Sequence, residues 1–330
     1  MKVLQNIKSE LIVALDIETV RIAENFEDLS EGFKSAWEYK NKQDGNIPSN
    51  EELSLLWKRT SSLYAEFSKI CAVSLAYLNP QGKLVCKEYY GDNEKELLAS
   101  LSITLNNMQT HNSQYRLVGH ASKYFDYPFT SKRYIINELD IPLCLDSTNL
   151  KPWEGMNLCT NDLWKCGGTG AGSSLQALCN VLGVPISKID LVGDEVGSAF
   201  YRGEFERIGR YCSLDSIATF NVFRKYKKES IFQFNEVDYI TAYSEKETVK
   251  EDVIELPLLQ KIYKAVNIDE PTKKNLTNTL LKKKLLEKDK VIVCDILTSL
   301  YINNTMFSSD KKDVKQRKRE EITQILSNVK

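Results

Sequence analysis

Hydrophobic positions in the first third of the chain fall into short runs of strand length. Residues 11–17, LIVALDI, form one such run. Residues 69–78, KICAVSLAYL, and 83–90, KLVCKEYY, form two more. Asn79-Pro80-Gln81-Gly82 between them is a turn signal, so the pair predicts a hairpin. YRLVG at 115–119 predicts a fourth strand. After Asn93, apolar residues at 97, 98, 101, 105 and 108 keep helical spacing over 93–108. Further helices are predicted over 128–139, with Pro128 in the first turn, and over 173–183, where Leu175, Leu178 and Leu182 follow a serine cap. A long amphipathic helix is predicted over 204–227. Residues 21–66 are polar and predict a helical insertion between the first two strands. There is no internal repeat. Strands precede most of the helices, with one βα alternation, which places the chain in the α/β or α+β class.

Composition narrows this little. The 330 residues are 42% hydrophobic and 27% charged, an ordinary soluble globular balance. No apolar run approaches the roughly 18 residues of a membrane span, so a membrane partner is not expected. The beginning, MKVLQNIKSELIVAL, carries Lys8 and Glu10 in its only apolar stretch and lacks a secretory core. Eight scattered cysteines contain no Cys-x-x-Cys pair. They read as reduced thiols, and the expected location is the cytoplasm of a bacterium or a phage-infected cell. Two histidines, His111 and His120, weaken any zinc or Ser-His-Asp reading. Charge is balanced overall but not locally: residues 1–226 hold 24 basic and 28 acidic side chains, and residues 227–330 hold 20 and 17. The basic excess lies in Lys273–Lys290 and in KKDVKQRKR at 311–319. Such runs suit either a solvated helix face or a polyanionic partner.

The chemistry lies in acids. Leu15-Asp16-Ile17-Glu18-Thr19 ends the first strand, and strand alternation puts Asp16 and Glu18 on one face while Leu15 and Ile17 point into the core. Carboxylates about 7 Å apart repel unless a cation lies between them, and hard ions such as Mg²⁺ or Mn²⁺ choose oxygen ligands. Asp126, in VGHASKYFDYPF, stands just before a helix start. Tyr211 and Asp215 lie four apart on the last long helix, hence on one face. Each signal alone is common. A strand-edge acid pair, a capping aspartate and a packed tyrosine would each account for one of them.

The ordered set of strand Asp-x-Glu, loop Asp and helical Tyr-x-x-x-Asp resembles the DEDDy 3′–5′ exonucleases of the RNase H-like (DnaQ-like) superfamily. Within these it is most similar to predicted exonucleases related to the proofreading domain of family-B DNA polymerases. The resemblance runs from about residue 11 to 226 and takes in YAEFSKICAVSLAYL at 64–78, DLWKCGG at 162–168 and SSLQALCNVLGVPISKIDLVGDEV at 173–196. It implies an α/β fold, a mixed central sheet flanked by helices, over residues 1–228. Residues 229–330 lie beyond the resemblance; helical periodicity at 276–290 and 318–329 and the basic runs predict a basic, mainly helical extension there. The resemblance further implies two Mg²⁺ (or Mn²⁺) ions. Asp16 would bridge them, Glu18 would bind the ion holding the attacking water, Asp126 would hold the second ion through water, and Asp215 would bind the first. Tyr211 would orient the water, being too weak a base at a free pKa near 10. Thr19, His120, Tyr124, Phe125 and Tyr127 are the candidate substrate contacts: of the aromatic rings some are expected to anchor the core and one or two to stack on terminal bases, and His120 reads as a satisfied structural histidine before a phosphate or sugar contact. Relatives commonly place an Asn before the second motif; here Gly119-His120-Ala121 stands there, which bears on substrate grip rather than metal binding.

The implied reaction is removal of nucleoside 5′-monophosphates from single-stranded or frayed 3′ ends of DNA, in replication, repair or proofreading in trans with a separate DNA polymerase. The alternatives are an RNase D-like RNA exonuclease and a non-catalytic module that binds 3′ ends. CGGTGAGSS at 166–174 lacks the Gly-Lys-Ser/Thr ending and the spacing of a nucleotide cradle and reads as a linker or flap.

Overall fold

The computed structural model describes residues 1, 4–148, 150–151, 154–186 and 191–242. In chain order the strands and helices are β1 (Ile12–Arg21), α1 (Glu31–Lys40), α2 (Asn50–Thr60), β2 (Ser68–Leu78), β3 (Leu84–Tyr90), α3 (Glu94–His111), β4 (Arg116–Gly119), α4 (Asp126–Ile136), β5 (Leu158–Cys159), α5 (Thr160–Trp164), α6 (Leu175–Leu182), α7 (Val196–Tyr201), α8 (Phe205–Lys227) and β6 (Asp238–Thr241).

The strands make one mixed six-stranded sheet in the order β5-β4-β1-β2-β3-β6. β1 pairs antiparallel with β2 and parallel with β4, β2 with β3 forms the expected hairpin, and β4–β5 and β3–β6 are parallel. This is the expected mixed sheet flanked by helices. β1 is central, so Ile12–Leu15 are buried on both faces, which explains an unbroken apolar run rather than an alternating one.

Two apolar layers cover the sheet. On one face Ile12 and Ala14 pack with Leu178 of α6 and with Ile217, Phe220 and Phe223 of α8. On the other, Val13, Leu15 and Ile17 pack with Leu97, Leu101 and Leu105 of α3 and with Phe129 and Tyr134 of α4. Asp16 and Glu18 therefore continue the face that α8 covers.

The insertion is helical, as expected, and has a small core of its own. Trp37 and Trp57 meet edge to face at 5.2 Å, with Leu53 and Phe67 around them. Their indole N–H groups donate to the carbonyls of Leu53 and Ala23. A Ser49–Glu52 capping box starts α2.

Two features depart from expectation. β5 and β6 extend the sheet at its two edges, and β6, a four-residue strand, lies in the stretch past 228 that was expected to be mainly helical. Its residues are half-exposed, as an edge position allows. The first compact unit, Met1–Glu245, includes it. The helical periodicity at 276–290 and 318–329 and both basic runs lie outside the described residues.

Candidate active site

The acidic face of β1 meets α8. Asp16 opposes Ser74 of β2, whose hydroxyl donates to the Cys212 carbonyl of α8 at 2.8 Å. The Cys212 thiol stands 3.3 Å from both the Asp16 carbonyl and Ser74 Oγ. On the hairpin side, the Cys71 thiol donates to the Glu18 carbonyl at 3.4 Å. Two buried thiols thus back the main chain of the two acidic residues. One turn beyond Cys212, α8 presents Asp215. Carboxylate oxygens of Asp16, Glu18 and Asp215, one from each, all lie within 4.8 Å of one another.

Asp126 enters from the other side of β1. β4 pairs with β1 only over Ile12–Ala14, so the edge beyond is open to the loop after β4. That loop turns sharply at Gly119, where a Cβ would collide with Ser122 and stand 3.2 Å from the Leu15 carbonyl. Ala121 is held at φ 60°, a left-handed conformation costly for alanine. The chain then starts α4 at Asp126, whose buried carboxylate accepts from its own backbone amide and from that of Ile17. Asp126 is outside the tight group of three but close enough to raise the pKa of both Asp16 and Glu18 by repulsion.

Electrostatically the site is uncompensated. No basic side chain among the described residues pairs with any of the four acids. Burial first, then the charges of Asp215, Asp126 and Glu18, push the Asp16 carboxyl well above the carboxylate range. Glu18 is raised in the same way. Burial lifts Asp126 to about 7 and Asp215 to about 6. Asp16 Oδ2 is buried with no hydrogen-bond partner. An orphaned buried oxygen among converging carboxylates is the donor set of a hard divalent cation, so the residues present fit Mg²⁺ or Mn²⁺.

A pH dependence follows. Raised folded-state pKa values favour the metal-free fold at pH below about 4, where unfolded carboxyls are also protonated, and that contribution is lost as pH rises through about 6 and 7. In chelator the melting temperature should therefore fall between pH 5 and pH 8. Mn²⁺ should restore it strongly at pH 8 and barely at pH 5, where protons compete for the ligands. Thermal melts at both pH values with and without Mn²⁺ check this, and an equal shift at the two would count against a carboxylate site.

Tyr211 sits one helical turn before Asp215 and is half-buried. Burial, then Asp215, Glu18 and Asp16, push its phenol further up, so it keeps its proton and can only donate or orient. The other sequence-derived contacts divide. Tyr124 is 71% exposed, with Lys165 Nζ 5.7 Å from its ring centroid. The Phe125 ring lies 5.2 Å from Phe129 and packs on the core. Tyr127 is buried, and its hydroxyl donates to the Leu158 carbonyl at 3.0 Å, so it is a core residue and not a stacking surface. Both ring nitrogens of His120 are engaged, at 2.9 Å with Thr160 Oγ1 and 2.8 Å with the Ser173 carbonyl, and burial lowers its pKa. It ties the glycine-rich segment to β4 and has no free nitrogen for substrate. Thr19 donates to the Ser62 carbonyl at 2.8 Å, anchoring the end of the insertion.

Residues 61–255 match the family described as predicted 3′–5′ exonucleases related to the exonuclease domain of PolB. The chain belongs to this family. With that it is an exonuclease of the RNase H-like kind, as the ordered acids imply. The match begins past β1, at the end of the insertion, so Asp16 and Glu18 are joined to the matched segment by β1–β2 pairing rather than by the comparison itself. No curated protein matches the chain. Among the described residues no helix is long and apolar enough to cross a membrane.

Proposed function

We propose that the protein removes nucleoside 5′-monophosphates from 3′ ends of DNA, using two Mg²⁺ or Mn²⁺ ions at the Asp16–Glu18–Asp126–Asp215 site. The observation that carries this is the meeting of three carboxylates around an unpartnered Asp16 oxygen, with a proton-bearing tyrosine on the same helix face as Asp215. Bound cations of this class lower the pKa of a coordinated water and neutralise charge on the departing 3′ oxygen. The chain's own part is positional. β1 and α8 fix Asp16, Glu18 and Asp215, the backbone amide of Ile17 steadies Asp126, and Tyr211 aims the water toward phosphorus by hydrogen bond. The seven described cysteines are all free, in keeping with a reducing compartment such as the cytoplasm. There the enzyme would serve replication or repair, proofreading in trans beside a separate polymerase.

The test is a 5′-labelled single-stranded oligodeoxynucleotide with Mg²⁺, which should shorten stepwise from its 3′ end and stop on chelation. An equimolar RNA oligonucleotide in the same tube reads sugar preference, and RNA consumed first would overturn the DNA assignment. Tyr211→Phe should lower kcat about 10- to 100-fold while leaving Mn²⁺ binding, followed by thermal shift, close to wild type. Wild-type kcat in that variant would remove Tyr211 from the mechanism.

A further inference from the structure

A groove of about 230 Å³ lies between the end of the insertion and the start of α4, the helix that opens with Asp126. One wall carries Lys40 and Tyr64, and the other carries Tyr124, Phe125, Pro128 and Lys132. Both lysines are exposed, and among the described residues neither has a carboxylate partner. Lys40 Nζ stands 3.6 Å from the centroid of the Tyr64 ring, so its charge is held at the groove. Glu66 also lines the groove, at its exposed side. Both walls connect to the acids. Thr19, next to Glu18, holds the Ser62 carbonyl of the first wall, and Asp126 lies within the chain segment that forms the second.

A single-stranded nucleic acid carries one negative charge per phosphate, and two exposed lysines and an exposed aromatic ring lining one groove suit its backbone and its bases. We propose that this groove holds the nucleotides preceding the scissile phosphate of a single-stranded nucleic acid, Lys40 and Lys132 contacting successive phosphates and Tyr124 stacking on a base. The assignment rests on the exonuclease reading above and adds the insertion to the substrate path. Lysines that neutralise backbone phosphates give salt-dependent binding without sequence preference, and an exposed ring offers a face to any base. The insertion, which supplies Lys40 and Tyr64, thereby has a role in substrate grip.

The experiment has a binding arm and a turnover arm. In the Asp16→Asn background, fluorescence anisotropy with a fluorescein-labelled oligothymidylate of twelve nucleotides needs no catalysis. Adding Lys40→Gln and Lys132→Gln together should weaken binding about tenfold or more and flatten the slope of log affinity against log salt by roughly 1.4, about 0.7 for each phosphate that no longer meets a lysine. Tyr124→Ala should weaken it about 5- to 100-fold. In the active protein, the same substitutions should reduce the ratio of kcat/KM for the twelve-mer to that for a dinucleotide about tenfold. All three side chains are exposed, so folding is not at stake. Wild-type protein that cleaves neither substrate defeats the exonuclease reading, and the binding arm then decides the groove alone. Affinity within about twofold and an unaltered salt slope in the double-lysine variant overturn the groove whatever the turnover.

Discussion

Asp16→Asn should lower turnover of a single-stranded oligonucleotide by at least about a thousandfold and, in chelator at pH 8, raise the melting temperature by several degrees. The two effects share one cause. Asp16 is the carboxylate with the most neighbours of its own sign, facing Asp215, Asp126 and Glu18, and one of its oxygens is buried without a partner. Asparagine keeps the shape and deletes the charge. With it goes the ligand at the centre of the set, so the cation chemistry that supplies most of the rate is lost. The repulsion that makes the metal-free fold costly at high pH is relieved as well. For a unit of about 240 residues, each ~1 kcal/mol of relief is worth roughly 2–4 °C. Nuclease assays and paired melts read both. Activity within about tenfold of wild type would dismantle the site, and a lower melting point would mean that the asparagine amide cannot be accommodated. Stability gained with function lost is the ordinary trade at an active site.

Arg133→Met should destabilise the fold by about 3–5 kcal/mol, visible as a lower urea midpoint. Arg133 and Glu94 form a buried ion pair with nearly every polar atom matched. Glu94, at the start of α3, accepts from the Ile70 amide at 2.6 Å, from Arg133 Nε at 2.8 Å and from Asn137 Nδ2 at 2.8 Å. Arg133 Nη1 also donates to the Ala65 carbonyl at 2.7 Å. This network fastens α3, α4, β2 and the turn before it. Removing the arginine strands a carboxylate in the core, which costs more than the pair itself contributes. Combining Arg133→Met with Glu94→Leu should therefore recover much of the loss. A double variant as unstable as the single one would mean that the hydrogen bonds to Ile70 and Ala65, rather than the stranded charge, set the cost.

Much of this was legible in the residues. β1, β2 and β3 announce themselves because central strands are apolar on both faces, and the polar stretch at 21–66 marks the insertion. β5 and β6 do not, since two- and four-residue edge strands bury too little to leave a pattern. Asp16 and Glu18 are indistinguishable from solvated acids until α8 is seen to cover the face that Ile12 and Ala14 begin. The sequence order of the acids carried that information and local propensity did not. His120, Tyr127 and Thr19 sit among the motifs, yet their polar atoms are satisfied by chain segments 31 to 53 residues away, which no local window reveals. Lys40 and Lys132 share a groove only because the insertion returns to α4, so nothing in either neighbourhood singles them out.

The acids come together from a strand near the beginning, a helix start in the middle and α8 near the end of the compact unit. A partly synthesised chain holds Asp16, Glu18 and Asp126 but lacks the helix that bears Asp215 and Tyr211. Contacts this distant in sequence close late in folding. The three-carboxylate cluster is therefore complete only once the last large helix of the compact unit has packed against β1.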